Sequence, residues 1–311
     1  FRALNKQVLK RRGGRPLHIR IDGREQLDIQ HPDVMLEAAA TSFQIHLQSA
    51  QNDAVRYFNA SIIAAGPLIA VAGNSPLLFG ADLWDETRIP LFEQSVEIGD
   101  DPDQENCRVS FGCGYARESL FECFADNLAK HAVLLPILMD TPPQQFAHLR
   151  LHNGTIWRWI RPLIGFDLDG TPHLRIEQRV LPAGPTITDM MANAALFFGL
   201  ARYLSDLPEA PESMFSFDQA RDNFYAAARD GLQSQLVWLD GRAFDARTLI
   251  LEEILPMARQ GLISLEIHQR DIDLNLSILE ARIKSGQTGD QDANIKRGIV
   301  SDQDLTIDQL R

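Results

Sequence analysis

The sequence predicts an α+β protein, with strands in the first 180 residues and helices dominating the rest. Three observations carry this. HLRIEQRV, from His173 to Val180, alternates apolar and polar residues one for one. Leu17–Ile21 (LHIRI) and Ser42–Gln48 (SFQIHLQ) alternate in the same way. Beyond Thr186 the apolar residues recur instead at helical spacing. No internal repeat is visible.

Taken in order, residues 1–12 read as the basic end of a helix, closed by Gly13 and Gly14. The strand Leu17–Ile21 ends in an Asp22-Gly23 turn, and the adjoining segment, DGREQLDIQHPD, is turn-like. In the second strand Ser42, Gln44, His46 and Gln48 form one polar face and Phe43, Ile45 and Leu47 the other. Asp53 is placed to cap a helix carrying Val55, Phe58 and Ile62, which Gly66-Pro67 interrupts. GADLWDETRIPLFEQS has no clear period and reads as a loop holding Trp84, Asp85, Glu86 and Arg88, either irregular surface or a substrate loop. The acidic run Glu97–Glu105 lacks calcium-loop spacing and reads as solvated. The lone GxG of Gly112-Cys113-Gly114 is too little for a dinucleotide fingerprint. Arg117–His131 is helix-like, and Pro142-Pro143 ends that segment.

Thr186 and Asp189 mark a capped start for a helix reaching about Leu204. Two helices come next, one with Met214, Phe217, Phe224 and Ala227, the other with Ile250, Ile254 and Met257. A last helix carries the stripe Leu265, Ile272, Leu276, Leu279 and Ile283, and the polar residues 285–311 read as a tail.

Composition excludes several classes. A formal charge of −12 argues against nucleic-acid and anionic-membrane surfaces, which need basic patches. No apolar run approaches the ~20 residues that span a bilayer, and no signal peptide is visible. Three cysteines, Cys107, Cys113 and Cys123, without a CxxC pair, fit neither a disulfide framework nor a zinc site, so reduced thiols in a cytoplasmic protein are expected. The chain begins at Phe1 rather than methionine, which implies residues upstream.

The stretch from His152 to Leu200 organises the chain. On its central strand Leu174, Ile176, Gln178 and Val180 share one face, and His173, Arg175, Glu177 and Arg179 the other. Cations and a carboxylate spaced ~6.6–7 Å apart suit an anionic ligand and a metal ion, although a solvated sheet face produces the same alternation. Within this stretch Asp167-Leu168-Asp169-Gly170-Thr171 spells the DxDGT signature of haloacid-dehalogenase-type phosphatases. Pro172 comes directly after it, and it lies between two strand-like runs, WIRPLIGF and HLRIEQRV, so a hairpin turn is the better reading.

TSFQIHLQ, GNSPLLFG with DETRIPLFEQS, HNGTIWRWIRP and LRIEQRVLPAGPTITDMMANAALFFGL occur in that order over about residues 33–260. Together they resemble the glutamate–cysteine ligase family of the bacterial and plant type, with its carboxylate–amine ligase relatives. The resemblance implies a single catalytic domain of the glutamine-synthetase-like class, whose curved antiparallel sheet forms an active-site funnel flanked by helices. It implies ATP as co-substrate, Mg²⁺, and a carboxylate such as that of glutamate joined to an amine such as cysteine, as in glutathione biosynthesis. Carried over, Glu177 and His46 would be metal ligands. Arg179 would stabilise the transferred phosphate, and Arg88 would contact the amino-acid substrate. Arg161, His152 and Gln44 would lie near the substrate. The family's opening E-x-E strand is not found before Thr41, and the residues after SGQTG do not match the family's closing region. A fragment, a site completed by residues elsewhere, or a non-catalytic nucleotide- or amino-acid-binding homologue each accounts for that departure. Oligomeric state is not encoded in any pattern of the sequence.

Overall fold

The computed structural model describes residues 2–98 and 107–289. The acidic run beyond Ile98 and the tail beyond Gly289 lie outside these residues. Helix α1 (Arg2–Arg11) precedes a hairpin of β1 (Leu17–Asp22) and β2 (Gln26–His31), paired antiparallel from Leu17↔His31 to Asp22↔Gln26. The turn-like reading of this second segment is therefore corrected. Its Leu27 is buried beside Ile19 and Ile21, whereas three of its six residues are exposed, so its apolar signal is thin.

β3 (Ile45–Ser49) is the second predicted strand, shortened at its start because Ser42 only bridges Pro182. Helices α2 (Ala54–Ile63) and α3 (Ala65–Ala72) meet at Ala64. The break therefore precedes Gly66-Pro67, because a proline in a first turn needs no N–H. Asp53 makes no side-chain capping bond. Every residue of α3 is buried. Short strands β4 (Leu77–Leu78) and β5 (Ala81–Asp82) lead to α4 (Arg88–Ser95). The expected loop is thus half helix, and Asp85, Glu86 and Arg88 are buried rather than on the surface. Packing on two cores, not periodicity, orders this segment.

β6 (Val109–Ser110), α5 (Phe121–Lys130), α6 (Ala147–Asn153) and β7 (Trp157–Arg158) precede the central hairpin of β8 (Ile160–Phe166) and β9 (Pro172–Gln178). The main sheet has the order β3-β9-β8, antiparallel throughout. Three strands make an α+β sheet; the funnel implied by the resemblance would need more than these. Asp167 to Thr171 form the hairpin turn, with Asp167 N–H donating to the Thr171 carbonyl at 2.9 Å. The phosphatase signature is therefore turn chemistry, far from a buried strand end.

α7 (Ile187–Asp206) starts at Thr186, whose hydroxyl accepts from the Asp189 N–H at 3.1 Å. α8 (Phe217–Asp230) opens with a capping box from Ser216 and Gln219, so Met214 lies before it. A small hairpin, β10 (Gln235–Val237) and β11 (Ala243–Asp245), then adds strands where only helices were expected. α9 (Ala246–Leu249) runs through a π turn, Ile250–Ile254, into α10 (Leu255–Ser264). Pro256 has no N–H to offer the preceding turn, and the wider turn accommodates that loss, with Leu255 N–H reaching back to the Ile250 carbonyl. α11 (Gln269–Ser285) carries Ile272, Leu276, Leu279 and Ile283 inward; Leu265 lies outside it and is 37 % exposed.

The core face of the sheet presents Ile45, Leu47, Ile160, Ile176 and the buried Gln178 towards α2, whose Ser61 carbonyl accepts from Gln178 Nε2 at 3.0 Å. α7 then stacks against α2, α10 and α11. A second, smaller core joins β1, β2 and α1, and α4 contributes Ile89 and Phe92 to the first core and Leu91 to the second. Among the described residues no single helix is long and apolar enough to cross a membrane. The α2–α3 pair would suffice only as a bent unit, and it is buried in the core.

Candidate functional site

Antiparallel pairing sets His46 opposite Glu177 and Glu177 opposite Arg161, so one row crosses all three strands. The row lies on the face turned away from α2, because neighbours one residue on point the other way. Arg179 extends it along β9. Glu177 Oε2 accepts from Arg161 Nε at 2.9 Å and Arg179 Nη1 at 3.1 Å, with Arg161 Nη2 at 2.8 Å. Its Oε1 faces His46 Nε2 at 3.3 Å. The end of this face around Glu177 is buried, with Glu177 3 % exposed and Arg179 6 %.

Burial alone would raise the Glu177 carboxyl; the two guanidiniums outweigh it and hold the group below the usual carboxylate range. Both guanidiniums of the cluster converge on the one Glu177 carboxylate. Arg161 is further anchored to the carbonyls of Asn153 and Ile156 at 3.3 and 3.2 Å. Arg179 lies over the Phe92 ring at 5.7 Å, and its Nε is buried with no hydrogen-bond partner. An unpartnered buried donor in this cluster is a place for an oxyanion.

The remaining expected residues lie elsewhere. Arg88 is 3 % exposed and donates to Glu86 at 2.8 Å and to the Val180 carbonyl, while its guanidinium stacks 5.2 Å from the Trp159 centroid. It pins the end of β9, with its guanidinium bonded to Glu86 and to the backbone beyond the strand. His152 Nε2 lies 3.2 Å from the Asn127 carbonyl, and its Nδ1 is buried without a partner. Gln44 is exposed before β3 begins and bonds Ser42 Oγ at 3.3 Å. His46, Glu177, Arg161 and Arg179 are the residues brought together.

Two residues escape a reading of the sequence. Glu37, in the 3-10 turn Val34–Ala39, is half-buried; burial raises its carboxyl, and the positive charge of Arg179 opposes that rise. Nothing in the residues around Glu37 marks it. Glu93, in α4, accepts from Trp159 Nε1 at 2.9 Å and Tyr225 Oη at 2.7 Å, and burial pushes its carboxyl up to about 7. An acid among Leu91, Phe92 and Val96 is its only signal.

The donor set does not suit a resident magnesium ion. Among the described residues no three His, Cys, Asp or Glu side chains converge. Mg²⁺ demands octahedral oxygen ligation, and Glu177 is already clamped by two cations. The group fits an oxyanion and does not fit a protein-held metal.

A family model described as glutamate-cysteine ligase family 2 matches residues 24–303, most of the chain. The chain belongs to glutamate-cysteine ligase family 2. For this family 2 chain, membership indicates a ligase joining a carboxylate to an amine, and the matched span includes the whole Arg161–Glu177–Arg179 cluster. No curated protein matched the chain.

Proposed function

We propose that this protein is an ATP-dependent carboxylate–amine ligase of the glutamate–cysteine type, working in the cytoplasm on glutamate and an amine such as cysteine. The observation that carries the reading is the buried cluster of Arg161, Arg179 and Glu177, two guanidiniums on one carboxylate, with the Arg179 Nε unpartnered. A glutamate γ-carboxylate oxygen attacks the terminal phosphorus of ATP, and ADP leaves. The amine nitrogen then attacks the acyl carbon, phosphate departs with the C–O bond's electrons, and the amine gives up a proton. Both steps place negative charge on phosphoryl oxygens, where fixed guanidinium forks act by position and charge. Glu177 ties Arg161 and Arg179 to one carboxylate oxygen. Magnesium enters this reading as the counter-ion of the nucleotide substrate.

ADP release is the test, measured with glutamate and magnesium, with and without cysteine or other amines, for the natural protein and for Arg179→Ala. Amine-dependent release that falls about 10²–10³-fold in the variant supports the mechanism. Release that is absent, or indifferent to the variant, overturns it. A second reading, a nucleotide- or amino-acid-binding homologue without turnover, draws on the lack of a three-ligand acidic or histidine cluster among the described residues. Glutamate binding without ADP release would establish that reading instead.

A further inference from the structure

We infer that the cleft between α6 and the polar face of the β8–β9 hairpin is a second oxyanion subsite, with Arg150 and Arg175 as its cations. The cleft has a volume of ≈ 420 Å³ and is lined by both arginines, with Asn153 and an apolar wall that includes Phe124 and Leu163. Arg175 stands opposite Leu163 in the sheet, one row beyond the His46–Glu177–Arg161 row, so its side chain emerges on the same face as Glu177. Residues two apart on a strand are ~6.6–7 Å apart.

The arginines of this cleft lack the carboxylate partner that several other arginines carry. Arg88 is matched by Glu86, Arg158 by Asp126, Arg161 by Glu177 and Arg282 by Asp189. Among the described residues neither Arg150 nor Arg175 makes an ion pair. The Nε of Arg175 is enclosed with no hydrogen-bond partner. Arg150, at the mouth, is held over the Phe166 ring at 5.3 Å, which sets its fork without consuming its donors. Two guanidiniums without carboxylate partners at one cleft suit a carboxylate or phosphate, whose oxygens match their planar donors.

Asn153 ties the two places together: it lines the cleft, and its carbonyl accepts from Arg161 Nη1 at 3.3 Å. An anionic ligand held at Arg150 and Arg175 would thus lie across Asn153 from Arg161. Assigning that ligand to a ligase substrate rests on the proposed function; the existence of the subsite does not. Two sources share this chemistry, the phosphate chain of a nucleotide and the second carboxylate of an acidic amino acid.

The test titrates the full chain, by calorimetry, with sodium pyrophosphate and separately with glutamate, in the natural protein, Arg175→Gln and Arg150→Gln. Arg150 is exposed, so its variant keeps the fold even if Arg175→Gln does not. We expect at least one ligand to bind about tenfold or more weakly in both variants, the loss of one charged hydrogen-bonding group. Loss for pyrophosphate alone assigns the nucleotide phosphates, and loss for glutamate alone assigns the carboxylate. Unchanged affinity in Arg150→Gln, or no binding of either ligand to the natural protein, overturns the subsite. Turnover measured on the same samples separates the two ideas. A natural protein without ADP release whose binding still depends on these arginines removes the ligase reading and leaves the subsite standing.

Discussion

Glu93 is a partly buried carboxyl that accepts hydrogen bonds from the Trp159 indole and the Tyr225 hydroxyl. Its folded pKa of about 7 lies above the 4.5 of an unperturbed glutamate, so the folded state holds a proton that the unfolded state releases. The resulting stabilisation is complete below pH ~4.5 and is lost as pH rises through about 7, amounting to on the order of 3 kcal/mol. Glu93→Gln should flatten the fall in denaturation midpoint between pH 5 and 8; an unchanged slope would assign that fall to other groups. His131 works in the opposite sense. Burial, then the charge of Arg158, lowers its pKa from 6.5 to about 4, so acidification through that window destabilises the fold. At Glu177 the interaction is structural as well as electrostatic. Glu177→Ala would leave Arg161 and Arg179 buried and unmatched, with an expected cost of about 3–5 kcal/mol in urea unfolding. A loss below 1 kcal/mol would mean that water already reaches the cluster.

At the scale of elements, α7 and α10 approach through glycine. A side chain added at Gly199 would meet the Ala258 carbonyl, and one added at Gly261 would meet the Gly199 carbonyl. No flexible tip can yield there, because the opposing atoms are backbone. Gly199→Ala should therefore destabilise by about 1–3 kcal/mol despite its better helix propensity, as thermal unfolding would record. A gain in stability would show that the two helices can separate freely. The start of α7 is readable in the sequence because Thr186 and Asp189 satisfy orphan N–H groups locally. β2 and α4 are not readable. β2 has too few apolar residues to mark a period, and α4 faces both cores, so its apolar residues go round the helix.

For the molecule as a whole, α4 is the joint between the two cores. Leu91 serves the smaller one, Ile89 and Phe92 the larger, and Trp84 packs against both. Leu91→Ala should cost about 2–5 kcal/mol. If the joint couples the cores, tryptophan fluorescence and far-ultraviolet circular dichroism will report one shared, lowered transition. Two separated transitions would show that the cores unfold independently.

From the sequence alone came the α+β class, the alternation of faces along HLRIEQRV, the hairpin at Asp167–Thr171 and the polar face holding Arg175, Glu177 and Arg179. Each depends on a period of two or on local turn chemistry, which neighbouring residues decide among themselves. Tertiary structure decided which of those residues meet. It joined His46 to Glu177 by strand pairing across more than a hundred residues of chain and Arg161 to Glu177 across the β8–β9 hairpin, turned Arg88 inward to brace β9, and left Arg150 and Arg175 facing a cleft. A residue's partner is set by register and packing between distant segments, and no local pattern in the sequence carries that information.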